Sequence, residues 1–365
     1  MAVAYFLEQN TSVNKEGERL VVKKEGKILH TLHIFKLDQV VVFGNVLLTP
    51  AAIAYLLRSC VDTVFLTRSG RYIGRLQPPY SKNITLRCEQ FRRLHEERFC
   101  LETSMAIVSG KIANSRTILL RLNRNREGLG LEDRILRLKQ MARKVDEAES
   151  MDALRGYEGR AAVLYFGGFA KGFLADGVTF KGRVRRPPTD PVNALLSLGY
   201  TLLFNTVMAV VSLVGFDPFL GCLHTVEYGR PSLALDLMEE WRQILVDSLV
   251  LSVFNLRTVT PADFLTGKAD AEDLVENGVH EISIDEMSAS GGEGSEGPPP
   301  PAAVKLTDSG FRKFITHFER KMNERIQYQP TGQQLAYRDC IREQARHFAR
   351  VVQGEEKSYQ PLVAR

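Results

Sequence analysis

The chain has 365 residues, 44% of them hydrophobic and 25% charged, with a formal net charge of +5. That balance is ordinary for a globular protein, allows two domains and a large core, and is too mildly basic to identify a partner. The 5 cysteines include no C-x-x-C pair, which argues against a disulfide framework, a zinc knuckle or an iron–sulfur cluster and fits a reducing cytoplasm.

"MAVAYFLEQN" has neither the basic nor the apolar region of a signal peptide, so none is expected. Residues 1–84 are expected to form a small, mostly-β domain. "RLVVKKEGKILHTL" gives two extended runs around Glu25-Gly26, and "VVVFG" and "DTVFL" are β-branched runs. Thr49-Pro50 opens a short helix among them. "QPPYSKN" breaks the pattern and marks a hinge. From residue 85 the period becomes helical, with helices expected over 85–123, 131–149, 155–173, 191–216, 232–256, 308–328 and 331–352. The fold class is therefore α+β, a β-rich domain followed by a larger all-α domain over 85–365. Pro191 to Phe216 contains no charged residue and could span a bilayer by length. Its Asn, Ser and Thr content favours instead a helix buried on all sides. "SASGGEGSEGPPPPA" at 288–302 is expected to be a flexible Gly/Pro-rich loop.

Chemistry concentrates late in the chain. His224 lies in a loop whose Gly221, Gly229 and Pro231 can turn it back onto the helix that follows. At 100° per residue, Asp236, Glu239, Glu240, Gln243 and Asp247 share one side of that helix. They can be read as a plain solvated stripe. Glu158, in the apolar and aromatic "RGYEGRAAVLYFGGF", must be at the surface, be paired or bind something. One histidine with carboxylates from separate helices could hold Mg²⁺ or Mn²⁺ with open positions. Lys181, Arg183, Arg185 and Arg186 in "KGRVRRPPTD", Lys111 and Arg116 in "KIANSR", and Arg121, Arg124 and Arg126 could face a phosphate backbone; taken singly, each is equally a solvated basic patch.

"GKIANSRTIL", "YEGRAAVLYF", "RRPPTDPVNALLSLGYTLL" and "GCLHTVEYGRPSLALDLMEEWR" stand in an order that resembles the CRISPR-associated integrase/endonuclease family Cas1, which acts in spacer acquisition. The likeness runs over roughly residues 4–350. It implies that Glu158, His224 and Glu239 are metal ligands and that Asp236 is a near or alternative one. Glu240 and Asp247 stay on the solvated stripe in this reading, and Cys222, like the other cysteines, is expected to pack. His30, His33, His95, His280, His317 and His347 are expected to be surface or satisfied core residues. The sequence departs from the family at Ser115, where glutamine is usual, and at the 288–302 stretch.

The activity that the resemblance implies is insertion of short duplex DNA into a CRISPR array, each 3′ hydroxyl attacking a phosphodiester in a metal-dependent transesterification. No G-x-x-x-x-G-K-[ST] loop is present, which fits an exchange of phosphodiesters that uses no nucleoside triphosphate. Implied partners are prespacer and repeat DNA, a second copy joined through the β domain, a small Cas2 protein bridging two dimers, and a separate Cas4-type processing nuclease. The same ligands could instead activate water, which would make the chain a hydrolytic nuclease of branched or repair DNA. A non-catalytic nucleic-acid scaffold is a third reading, set against the intact acids and histidine.

Overall fold

Alternating and β-branched runs at the start of the chain form two four-stranded sheets in a unit spanning Met1–Asn83; a second unit spans Ile84–Arg365. The computed structural model describes residues 2–77, 83–184, 188–267 and 303–364. One sheet has the order β1 (Val3–Phe6), β5 (Gln39–Phe43), β7 (Asp62–Leu66), β8 (Tyr72–Leu76), with only β8 antiparallel to its neighbour. The other runs β4 (Lys27–His33), β3 (Arg19–Lys24), β2 (Thr11–Glu16), β6 (Val46–Leu48). Glu25 and Gly26, at φ 49° and 78°, make the tight turn between β3 and β4. Helix α1 (Pro50–Arg58) starts where the Thr49 hydroxyl accepts the Ala52 N–H, with proline at its first position. Val13, Leu20, Val40, Val42 and Leu56 meet in this unit's own core.

The second unit contains α2 (Ile84–Arg93), α3 (Glu97–Asn125), α4 (Glu132–Asp146), α5 (Met151–Phe169) and α6 (Pro191–Val214). Asp190 caps α6 by accepting the Asn193 N–H at 2.9 Å, and Gly215 ends it in the left-handed region at φ 109°. This is the one described helix long and apolar enough to cross a membrane, and 89% of its most apolar window is buried inside the protein. It is a core helix, as its scattered polar residues indicate.

The expected helix at 232–256 is a continuous but irregular run. It consists of α7 (Ser232–Met238), a 3₁₀ turn (Glu239–Trp241), a π-type turn (Arg242–Asp247) and α8 (Ser248–Asn255). It packs against α3 and α6. α9 (Asp308–Met322) and α10 (Tyr337–Val352) follow. Among the described residues the all-α expectation holds except for two short antiparallel strand pairs. β9 (Phe264–Gly267) pairs with β10 (Ala303–Leu306), and β11 (Arg325–Tyr328) pairs with β12 (Gln333–Ala336). The second pair replaces the end of the helix expected at 308–328 and the start of the one at 331–352. The 288–302 stretch lies outside the described residues.

Candidate active site

Three elements deliver a lysine and two acids to one place. α3 contributes Lys111, α5 contributes Glu158, and the 3₁₀ turn contributes Glu239. The Lys111 ammonium pairs with Glu158 Oε1 and lies 2.6 Å from Glu239 Oε2. Glu239 is 3% exposed, and its Oε2 accepts no hydrogen bond of good geometry although the ammonium faces it. Its Oε1 accepts a 2.9 Å bond from Arg242 Nε. Burial alone would push the Glu239 carboxyl up, but the charges of Arg242, Lys111 and His224 hold it down to about 2.

His224 is aimed by its own loop. Asp236, on α7, accepts the backbone N–H groups of Cys222, Leu223 and His224 at 2.6, 3.0 and 2.9 Å. It also pairs with His224 Nδ1 at 2.6 Å. A carboxylate there favours the proton on Nδ1 and leaves Nε2 as the free ring nitrogen. That nitrogen is 3.9 Å from Glu239 Oε1. The loop can lie so close only because residue 221 is glycine, since a Cβ there would stand 2.5 Å from Asp236 Oδ2. Arg155, from α5, donates to the Leu223 carbonyl at 2.9 Å and ties the loop down.

The acids expected on a solvated stripe are buried. Glu240 accepts from Tyr359 Oη at 2.8 Å and from the Leu362 N–H at 2.6 Å. Burial pushes its carboxyl up to about 7 against these donors. Asp247 accepts from Tyr165 Oη at 2.8 Å and Tyr200 Oη at 2.5 Å, and burial raises it to about 6. The helical wheel failed here for a physical reason. All of 231–247 is enclosed, so both of its faces are interior, and the polar one carries an internal hydrogen-bond network.

The basic residues divide. Lys111 is only partly exposed and sits between carboxylates. Arg183 bonds Asn193 Oδ1 at 2.9 Å and Ser197 Oγ at 3.1 Å, and its guanidinium lies over the Tyr200 ring, so its place is structural. Arg242 covers the same ring at 4.8 Å. Arg116 is half-buried and Lys181 is exposed, while Arg185 and Arg186 lie outside the described residues. Arg155 and Arg242 were not singled out in the sequence. Only their closeness to His224 and Glu239 marks them, and no spacing rule encodes that. Cys222 and Cys340 are buried, as packing requires, but Cys60 and Cys88 are exposed and do not pack. His347 is satisfied internally: its Nε2 accepts the Gln360 N–H at 2.9 Å, and its Nδ1 pairs with Glu356. Among the described residues, no three His, Cys, Asp or Glu side chains stand close enough for a ready metal cluster; the two glutamates close on an ammonium instead.

The family model described as "CRISPR associated protein Cas1" matches residues 4–282. A relative from Thermus thermophilus, CRISPR-associated endonuclease Cas1 3, is 36% identical over 367 residues, covering 100% of this chain and 98% of that protein. A Geobacter sulfurreducens protein, a CRISPR-associated exonuclease Cas4/endonuclease Cas1 fusion, is 31% identical over 99% of this chain and 60% of its own length. Among solved structures, a casposase bound to integration product superposes with a TM-score of 0.81 at 20% identity, covering 100% of this chain and 95% of that one. A chain of a Cas6-RT-Cas1–Cas2 complex gives 0.80 at 23% identity, covering 100% of this chain and 36% of that one. At these identities the structural likenesses carry the fold.

Proposed function

This chain belongs to the Cas1 family of CRISPR-associated proteins, and from that premise we propose that it is a divalent-metal-dependent DNA endonuclease and integrase that inserts new spacer DNA into a CRISPR array. The observation that carries the proposal is the convergence of Glu158 and Glu239, from separate elements, on one shared cation beside the open Nε2 of His224.

The donor set fits Mg²⁺ or Mn²⁺. Two carboxylates and an imidazole are hard-to-intermediate ligands, and Glu239 Oε2 is a buried oxygen that already faces a cation, the Lys111 ammonium at 2.6 Å. Glu158, Glu239 and His224 would hold the ion. When bound, it would supply positive charge to a scissile phosphate and favour ionisation of the attacking hydroxyl. Asp236 has its oxygens engaged by the loop N–H groups and the imidazole, so it orients His224 and is not read as a ligand. Arg242 fixes the Glu239 carboxylate through Nε. An attacking 3′ hydroxyl breaks one phosphodiester as it forms another, so the exchange proceeds without a nucleoside triphosphate.

Prespacer and repeat DNA, a second copy of this chain and a small Cas2 protein are the proposed partners. A Cas4-type processing nuclease is a further one, which the fused relative supports. The test supplies labelled short duplexes and a supercoiled repeat-bearing plasmid, with Mg²⁺ or Mn²⁺, with and without Cas2. Joined product is expected. Shortened DNA without joining would instead assign the hydrolytic nuclease reading.

A further inference from the structure

Glu158 and Glu239 bring two negative charges into a site that Lys111 and Arg242 neutralise with two positive ones. Lys111 is the link between the acids. Its side chain is 15% exposed, and it comes from α3, an element that supplies neither acid. The Arg242 bond to Glu239 is separate from that link, and the cation that Glu158 pairs with among the described residues is Lys111. A divalent ion added to this set would leave two surplus positive charges in a largely buried place, which is costly. Withdrawal of one ammonium halves the surplus, and an arriving phosphodiester cancels the rest. Lysine suits such an exchange, because its charge is a compact point on a flexible four-carbon stem.

We propose that Lys111 is a placeholder cation: it holds Glu158 and Glu239 together in the metal-free protein and surrenders both carboxylates when a divalent ion binds. The proposal rests on the metal-site reading above and adds to it a competitor built into the chain. Metal affinity is then set by the ligands against Lys111, and the site stays closed and neutral until an ion arrives. The freed ammonium swings out of the site on its flexible stem.

The experiment titrates Mn²⁺ by calorimetry into the full chain without DNA, comparing wild type with Lys111→Met, Lys111→Arg and His224→Ala. Melting temperatures are read in parallel with and without Mn²⁺. Lys111→Met removes the competitor and should bind Mn²⁺ roughly tenfold tighter or more, since an uncompensated pair of carboxylates attracts a cation more strongly than a neutralised one. It should melt below wild type without the ion and gain more from its addition. Lys111→Arg keeps the charge and should bind Mn²⁺ no tighter than wild type. A Lys111→Met protein that folds only with Mn²⁺ would support the same exchange. Unchanged or weaker Mn²⁺ binding by Lys111→Met would overturn the proposal while leaving the metal site standing, and so would failure of this variant to fold with or without the ion. If wild type and His224→Ala alike bind no Mn²⁺, the metal-site reading itself falls, and this proposal falls with it.

Discussion

Asp247 accepts two tyrosine hydroxyls at full burial, so its removal strands both as buried donors. An unsatisfied buried polar group costs about 1–3 kcal/mol. Asp247→Ala should therefore lower unfolding stability by roughly 2–4 kcal/mol in denaturant titration; a loss below about 0.5 kcal/mol would contradict the network. The ligand substitutions should behave differently. Glu158→Ala, His224→Ala and Glu239→Ala should each abolish strand joining while the folded protein still binds DNA, because affinity for DNA comes mostly from phosphate contacts. Wild-type joining by any of them would remove the metal reading. Stability should also carry a pH signature from Glu240. Its folded value, about 7, lies above the unfolded one, so the folded state binds a proton that the unfolded chain releases. That contribution is fully present below the unfolded value and is lost as pH rises through about 7. Glu240→Gln should gain on wild type between about pH 5 and about pH 8, and an equal difference in melting temperature at both would refute it. That Glu158, His224 and Glu239 fall in one neighbourhood was legible in the sequence because each sits in a long ordered motif. Glu240 and Asp247 were not, because a wheel separates wet from dry faces only on a helix with a wet face. The roles of Lys111 and Arg242 arise from approach between α3, α5 and the 3₁₀ turn, which no local pattern records.

At the level of elements, the chain-order reading fails where short strands hide between amphipathic helices. "RIQYQPTGQQLA" has one four-residue strand on each side of a turn, too short for alternation to compete with the helical period around it. The irregular run at 239–247 was equally invisible, because 3₁₀ and π turns shift the phase of a pattern without changing its composition; such turns often mark functional sites. The β9–β10 pair bears on the Gly/Pro-rich stretch. Gly267 is directly opposite Ala303, so the two ends of the intervening segment are already held together by the ladder. Deleting residues 289–301 leaves ample chain to connect neighbouring strand ends. Loop closure changes by only about 0.6 kcal/mol per factor of two in length. The deletion should leave the melting temperature and in vitro joining nearly unchanged. A large loss of stability in the isolated protein would show that the stretch packs; an effect confined to assays with Cas2 present would identify it as a docking element.

At the scale of the whole chain, the candidate site and the two four-stranded sheets lie in different units. Lys111, Arg155, Glu158, His224, Asp236, Glu239 and Arg242 all lie in the unit Ile84–Arg365, while Met1–Asn83 has its own apolar core. That division was readable from the change of period near residue 84, since alternation and helical spacing are the two patterns a sequence displays most openly. A unit that contains every site residue and its own buried interior should keep the site when produced alone. The fragment 84–365 is therefore expected to unfold cooperatively and to gain melting temperature with Mn²⁺ as the full chain does, because stabilisation by a bound ion depends only on its affinity for the folded state. The family reading gives the β-rich unit the role of joining two copies, so light scattering should find the full chain dimeric and the fragment monomeric. Strand joining should then fall in the fragment while its Mn²⁺ response persists. If the fragment lost the Mn²⁺ response yet remained folded, residues 1–83 would have to contribute to the site. If it stayed dimeric, the copies would meet through the helical unit, and the role assigned to the β sheets would be wrong.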